Sequence, residues 1–504
     1  MELSFRSKPM HRVSCVLREV RRQEETAEAI VPDSWPDIGS ILDSHAIPVL
    51  RGKDVRDGNV IISGGIRGSI LYLAEGESSL KCLEFYIPFS LKFENPSITE
   101  CAGVLCDLKV ASVDGRVINC RKALLRTEIS CSVCIFETSE LTVRTLENPP
   151  EQIRVRQAFY EPELLLETAE RSFTVSDTLE FLTGNKSIDY IWRIQCTPEI
   201  KDKKIVGARA VFRGSVVCEF ICVSNGKELC KHQFHIPFSQ FCDLNHEYDL
   251  DEKVYFVPIV TGFDLEPDSQ TDIRKAYLNV HLLVQCMVYG KRKLDLVEDA
   301  FSTYGTFVPS WDEFHLDTVL DHPEVVQGLR LKIPSGISNL VDVVVYLGHP
   351  FLHKTSDCTQ IGTHITAHVL GYDHDGKVCA SIGTHTIGWD IPMNENVSCA
   401  SEIKLTDLPF VTFGNSEAEV HLELGMQAFC VTKQNMKTIA GGEFESVSGE
   451  VLRPSVILKR VTKGADLWQI AKSSRANEDH IAFANGLDGT HIPDDRVLLI
   501  PVGC

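Results

Sequence analysis

Four histidines lie close together in the last third of the sequence, and imidazole nitrogens are common metal ligands. They are His364, His368, His374 and His385. His364 and His368 belong to one strand-like run, where they would share a face but stand about 13 Å apart. One ion cannot bridge that distance, and we interpret the four as separate strand and turn histidines.

Cysteines are the second group with metal-binding potential, and the chain has eighteen of them. Cys131 and Cys134 form the only C-x-x-C motif, and no second pair follows at zinc-site spacing. In a strand, residues three apart point to opposite faces, which separates these two thiols. Single cysteines in strand-like runs of a cytosolic protein are typically small buried apolar residues. We therefore expect no metal site and no cofactor.

Two carboxylates, Asp33 and Asp37, each follow a proline and could be proposed as an acid–base pair. Capping of backbone amides is the better interpretation, and the same pattern predicts a turn followed by the start of a helix. The sequence contains no G-x-S-x-G, Walker or H-E-x-x-H motif. A hydrolase would need a cluster of ionisable groups for which no motif is present. We predict no catalytic residues and a protein that is not an enzyme.

Binding chemistry is better placed at the C-terminus, where about fifty residues have a pattern of their own. A short strand, Val456–Val461, precedes Asp466, which has the position of a helix N-cap. Asn477 could cap a second helix that ends at Asn485-Gly486, and a strand closes the module at Val497–Pro501. This pattern predicts a small βααβ module over residues 453–504.

A repeat organises the rest of the chain. The element Ile87-Pro88-Phe89-Ser90 returns as Ile236-Pro237-Phe238-Ser239 and as Ile391-Pro392, so that its prolines lie 149 and 155 residues apart. An apolar run and then a turn containing Gly76, Gly226 or Gly376 precede each copy. Asp57-Gly58 and Asp114-Gly115 are typical of hairpin turns, and strand-like runs recur about every 8–12 residues. We predict a mainly β protein, with β-sandwich or barrel-like domains at residues 1–150, 151–321 and 322–452.

Charge and hydropathy restrict the partners. The formal net charge is −20, which argues against nucleic acid because phosphate binding needs a basic surface. No run approaches the roughly 18 apolar residues of a membrane span, and the N-terminus lacks a signal-peptide core. We expect a cytosolic protein without a membrane span.

The C-terminal module resembles the LysM family. The resemblance rests on the run Lys463–Ala471, on Ala484-Asn485-Gly486-Leu487 and on Ile500-Pro501. In that family a groove between the loop after the first strand and the loop after the second helix binds N-acetylglucosamine chains. The first loop departs from the family, since Ala465 and Asp466 stand where Asp and Thr are usual. The resemblance implies a partner- or glycan-binding site made of Lys463, Gly464, Ala465, Asp466, Leu467, Trp468, Asn485, Gly486, Leu487 and Asp488.

The repeats resemble the SPOCS domain of sporulation proteins. The matching elements are Val31-Pro32-Asp33 with Pro36-Asp37-Ile38, the Asp57-Gly58 turn, Ile70-Leu71-Tyr72 and Ile87-Pro88-Phe89. Three such copies followed by a LysM domain resemble the layout of clostridial spore coat morphogenetic proteins. That resemblance implies a structural role in the mother-cell cytoplasm at the forespore surface. It also implies that the LysM domain binds a coat-scaffold ATPase, among other coat proteins.

Two functions therefore stay open from the sequence. One is a non-enzymatic adaptor of coat assembly, in which the C-terminal module binds protein. The other is a peptidoglycan-binding protein, in which the LysM groove holds N-acetylglucosamine polymer. Trp468 has two interpretations as well: a half-buried packing residue, or an aromatic anchor for a protein partner.

Overall fold

The computed structural model describes most of the chain. The described residues are 5–76, 79–147, 152–181, 188–269, 272–319, 324–354, 359–391, 397–414, 416–445, 454–489 and 491–502. The predicted domain boundaries at 150/151, 321/322 and 452/453 lie outside these residues, as does Pro392. The predicted mainly β fold is confirmed, because strands account for nearly all regular structure and two short helices lie near the C-terminus.

The first unit, residues 5–146, contains six antiparallel strands. They are β1 (Phe5–Ile30), β2 (Ile38–Arg56), β3 (Asn59–Ala74), β4 (Leu80–Glu94), β5 (Gly103–Asn119) and β6 (Lys122–Leu146). They form two sheets with the strand orders β2-β3-β4 and β1-β6-β5. Ile62 and Ile66 of one sheet and Leu125 and Ile129 of the other are fully buried in the same core cluster. The two sheets therefore pack face to face as a sandwich.

The second unit, residues 163–291, repeats this arrangement. Its strands are β8 (Glu163–Glu180), β9 (Ile188–Ile205), β10 (Gly207–Ser224), β11 (Glu228–Tyr248), β12 (Lys253–Pro267) and β13 (Lys275–Lys291). The sheets have the orders β11-β10-β9 and β12-β13-β8. Each strand thus has the same neighbours as its counterpart in the first unit.

The third unit, residues 324–445, follows the same plan with two changes. Its strands are β16 (Glu324–Pro334), β17 (Asn339–Leu347), β18 (Phe351–Lys354), β19 (Thr359–Tyr372), β20 (Val378–Ile391), β21 (Val397–Leu405), β22 (Phe410–Phe413) and β23 (Glu417–Glu445). β19 pairs with β17 and β20, and β23 pairs with β16. The changes are the division of the second strand into β17 and β18 and of the fifth strand into β21 and β22.

Three further strands connect the units. β7 (Ile153–Tyr160) pairs with β14 (Leu294–Ser302) in a two-stranded ribbon before and after the second unit. β15 (Thr306–Val319) pairs with the C-terminal half of β23 and meets β8 at a single bridge. This bridge joins the second and third units in one eight-stranded sheet.

The repeated Ile-Pro-Phe element lies on the edge strands β4 and β11. Its isoleucine and phenylalanine point into the core, and the proline between them faces outward, where an edge strand tolerates it. Phe89 lies opposite Gly64 on β3, and Phe238 lies opposite Gly214 on β10. In each pair the ring covers the neighbouring glycine so closely that a Cβ atom there would collide with it or approach it within 2.9 Å. The motif is thus a ring packed over a glycine.

Two local predictions are wrong. Asp114-Gly115 lies inside β5, and the chain turns instead at Cys120-Arg121. No helix starts after Pro36, because β2 begins at Ile38. Asp37 does not cap a helix: its carboxylate is 2.8 Å from Nη1 of Arg121, which also donates to the carbonyl oxygen of Trp35.

The three units meet where their second strands, β2, β9 and β17, each carry a β-bulge. In all three the residue after the bulge is charged and buried. These residues are Asp43, Arg193 and Asp342, and opposite them on the central strands lie Leu71, Ile221 and Leu370. The three apolar partners belong to one buried cluster. We call this place, where equivalent positions of the three units converge, the junction.

The charges at the junction are paired between units. Arg193 forms an ion pair with Asp342, whose second oxygen is 2.6 Å from Nζ of Lys231. Asp43 is 2.7 Å from Nδ1 of His368. The first unit is therefore linked to the third, and the third to the second. All of these side chains except Lys231 are shielded from water.

The C-terminal module, residues 454–502, contains β24 (Val456–Val461), α1 (Leu467–Ser474), α2 (Glu478–Asn485) and β25 (Arg496–Pro501). The strands pair antiparallel, and both helices pack on the inner face of this small sheet. Neither helix in the described part of the chain has the length and apolar character needed to span a bilayer.

Candidate partner-binding site

The first predicted binding loop, Lys463–Asp466, is held by backbone hydrogen bonds. Gly464 has a φ of +81°, which favours glycine, and its N–H donates to the carbonyl oxygen of Ile492 over 2.8 Å. The N–H of Lys463 donates to Oδ1 of Asp495. Ala465 is half-buried against the core of the module. The loop is thus fixed to the segment that leads into β25.

Asp466 has two partners. As predicted, it is the N-cap of α1, with Oδ1 accepting the N–H of Trp468 over 3.0 Å. Oδ2 accepts a hydrogen bond of 2.9 Å from Nη1 of Arg156 on β7. Both carboxylate oxygens therefore already have partners within the chain.

The next two site residues, Leu467 and Trp468, are buried. Leu467 packs in the core of the module. Trp468 is 5% exposed, and its ring lies edge-on to Phe301 of β14 with 4.9 Å between centroids. Its indole Nε1 donates to Oδ2 of Asp299 over 2.8 Å, and Lys472 forms an ion pair with the same carboxylate. Trp468 thus attaches the module to the β7–β14 ribbon instead of facing a partner.

The acidic start of α2 faces the same ribbon. Glu478 and Asp479 occupy its first turn, where carboxylates favour the positive end of the helix dipole. Burial, followed by the neighbouring charges of Asp479 and Asp466, raises the pKa of Glu478. Arg154 of β7 lies 3.8 Å from Asp479. Basic side chains of the ribbon therefore oppose the acidic helix starts of the module.

The second predicted loop begins at Asn485, which has a structural role. Its amide nitrogen donates to the carbonyl oxygens of Ile481 and Leu499, and its Oδ1 accepts the N–H of Leu499. Gly486 ends α2 with a φ of +60°. Leu487 is half-buried on the same core as Ala465, whereas Asp488 is exposed. Among the ten predicted residues, Lys463, Gly464, Gly486 and Asp488 face solvent.

A surface that the sequence did not predict lies on the outer face of the module. Leu458 is 70% exposed and pairs directly with Leu499. Val456 and Val497 are also exposed beside them. We call these four side chains the outer apolar face. The sequence contained evidence for this face, because both strands have apolar residues at odd and at even positions. These two groups point to opposite faces of the sheet, and the small core of the module covers only one of them.

Comparison with known families gives one match. Residues 37–118 match a family model described as SipL, SPOCS domain. The matched segment covers the β2-β3-β4 sheet and nearly all of β5 in the first unit. The chain has no match among the curated proteins. The chain is thus similar to a SPOCS domain over a part of its first unit.

Proposed function

We propose that the chain is a non-enzymatic adaptor of spore coat assembly that acts in the mother-cell cytoplasm at the forespore surface. In this proposal its C-terminal module binds a coat-scaffold ATPase and so helps to encase the forespore. The SPOCS match at residues 37–118 is the observation that carries the proposal. The shared strand order of the three units supports it, because repeated β-sandwiches supply surfaces for several coat proteins.

The outer apolar face is the surface that we assign to the ATPase. Contiguous exposed apolar side chains on a soluble protein typically mark an interaction site. Leu458 and Leu499 form the centre of this face, and Val456 and Val497 flank them. Trp468 is unsuitable as an anchor because Phe301 and Asp299 already cover it.

The test compares binding of the full-length chain and its variants to the purified ATPase. Leu458→Asp places a charge in the centre of the outer apolar face, and we expect affinity to fall by more than about tenfold. Leu250→Asp is the matched control, since Leu250 is 80% exposed in the turn between β11 and β12. If both variants and the unmodified chain bind the ATPase with equal affinity, the ATPase does not bind the outer apolar face.

Peptidoglycan binding is the alternative, and the solvent-facing loop residues of the module support it. Lys463 and Asp488 are exposed on the two loops that line the groove in the family the module resembles. This function requires sedimentation of the full chain with insoluble peptidoglycan, and loss of that sedimentation in a Lys463→Ala, Asp488→Ala double variant. That result, together with no binding to the ATPase, would contradict the adaptor proposal.

A further inference from the structure

The β10–β11 hairpin brings together three side chains that are separate in sequence. The strands turn at Asn225-Gly226, both with positive φ, and pair in direct antiparallel register. Cys222 consequently lies opposite Cys230, and Phe220 lies opposite His232. Because alternate residues of a strand share a face, Cys230 and His232 point to the same side as Cys222.

These residues form a compact set of metal-binding atoms. The two Sγ atoms and one imidazole nitrogen of His232 lie within 4.8 Å of one another. Two thiolates and an imidazole are a donor set typical of Zn²⁺. With a Zn–S bond of about 2.3 Å, tetrahedral ligand atoms stand about 3.8 Å apart. Closing the set around an ion therefore needs side-chain movements of about 1 Å.

The histidine has an unsatisfied nitrogen. Nε2 of His232 is buried and has no hydrogen-bond partner among the described residues. An unpaired buried polar atom costs about 1–3 kcal/mol, which a metal bond would remove. Phe181 meets the imidazole edge-on at 5.3 Å, and Phe234 stacks on it at 6.5 Å. The ring is thus held in place by aromatic contacts.

The cysteines are protected from solvent. Cys222 is fully buried, and Cys230 is half-buried. The hydrogen bond with Cys230, together with burial, raises the pKa of the Cys222 thiol. Both thiols lose their protons when they bind a metal ion.

The opposite face of β11 belongs to the junction. Lys231, between Cys230 and His232, reaches Asp342 of the third unit, and the N–H of Leu229 donates to the hydroxyl of Tyr372. A metal on one face of the hairpin would therefore stiffen the strand whose other side connects the second and third units.

We propose that the β10–β11 hairpin binds one Zn²⁺ through Sγ of Cys222, Sγ of Cys230 and Nε2 of His232, with the fourth coordination position filled by water or an external ligand. The site is structural and independent of the partner-binding module. It lies in the second unit, outside the segment that matches the SPOCS family.

The test measures zinc in the full-length chain. Reduced, metal-free protein is dialysed against Zn²⁺, and bound metal is quantified by elemental mass spectrometry. We expect one zinc per chain, lost in Cys222→Ser and in His232→Phe, which keeps an aromatic ring beside Phe181. Cys196→Ser is the matched control, because Cys196 lies on β9 opposite Cys218 of β10, and this variant should retain one zinc per chain.

Two further readouts complete the test. Co²⁺ in place of Zn²⁺ should give thiolate-to-metal charge-transfer absorption in the unmodified chain and in Cys196→Ser, and not in the other two variants. Zn²⁺ should raise the melting temperature of the unmodified chain and leave that of His232→Phe unchanged. No zinc above the buffer background, or zinc retained in both ligand variants, would overturn the proposal. A Cys222–Cys230 disulfide that persists under the same reducing conditions would overturn it as well, because oxidised cysteines cannot bind the metal.

Discussion

At the scale of single residues, the charges at the junction are tolerated because each has a partner from another unit. Arg193 and Asp342 are almost completely shielded from water, and Lys231 contributes a second positive charge to Asp342. Buried ion pairs contribute little net stability compared with apolar residues of the same shape, but removing one partner leaves an uncompensated charge.

Arg193→Leu should therefore destabilise the protein by about 3–5 kcal/mol, because Asp342 loses a buried partner. The measurement is the shift of the urea unfolding transition of the full-length chain. Arg56→Leu is the control: its ion pair with Asp54 is exposed, so we expect a change within about 1 kcal/mol. If the urea unfolding transitions of both variants coincide, Lys231 alone is sufficient to balance the charge of Asp342.

The sequence could not predict the junction. Asp43, Arg193 and Asp342 appear as ordinary charged residues within strand-like runs. Their partners lie about 110 to 325 positions away, and local patterns contain no information on contacts at that range. The proposed zinc ligands were also not identified from the sequence. Cys222 and Cys230 lie four residues before and four residues after the predicted turn residue Gly226, and this symmetry was a usable signal.

At the scale of elements, the Ile-Pro-Phe repeat is explained by a ring packed over a glycine. In the third unit the ring of Phe351 covers Gly362 of β19, where a Cβ atom would stand only 2.5 Å from the ring. Phe351 belongs to β18. Because Ile361, Ile365 and Ala367 of β19 face the core, Gly362 points to the opposite face of the sheet. This ring therefore packs outside the core and does not replace the phenylalanine that the third copy of the motif lacks.

Gly214→Ala tests this packing. Its Cβ atom would collide with the carbonyl oxygen of Glu199 and come within 2.9 Å of the Phe238 ring. We expect a loss of about 1–3 kcal/mol in the free energy of unfolding, measured by urea denaturation. Gly328→Ala in β16 is the control, since open space surrounds that position and the substitution should be neutral or slightly stabilising. Similar losses at both positions would indicate a general cost of alanine in these strands.

Turns were predicted correctly at glycines that have a positive φ. They were predicted poorly where the prediction rested on aspartate. Gly58, Gly76, Gly226 and Gly376 all have positive φ at hairpin turns, as predicted. The Pro-Asp pattern at residues 32–37 occurs in both turns and helix starts, so the sequence alone could not distinguish them. In the structure Arg121, from a distant hairpin, binds Asp37, and a strand follows instead of a helix.

At the scale of the whole molecule, the C-terminal module is attached to the ribbon that flanks the second unit. Trp468 and Lys472 share the carboxylate of Asp299, and Arg156 contacts Asp466. The sequence predicted the helices and caps of the module from local signals. It left the orientation of Trp468 open, because both Phe301 and Asp299 are more than 160 residues away.

Asp299→Ala should loosen this attachment, since it removes the acceptor of the indole N–H and the partner of Lys472. Hydrogen bonds to charged groups contribute about 1.5–3 kcal/mol each, so the radius of gyration measured by small-angle X-ray scattering should increase. Asp295→Ala, at an exposed position of the same strand, is the control and should leave it unchanged. An unchanged radius in both variants would mean that the Phe301 contact alone holds the module.

The order of charges at the junction has a consequence for the ancestry of the chain. Three identical units arranged around such a point would place three identical side chains there, and three buried carboxylates would repel one another. The sequence of aspartate, arginine and aspartate is possible only when the copies differ. After duplication, divergence at this one equivalent position therefore makes the copies non-interchangeable. A chimeric gene in which the first unit replaces the second should encode a chain with three aspartates and no arginine at the junction, so that the three units cannot pack together there.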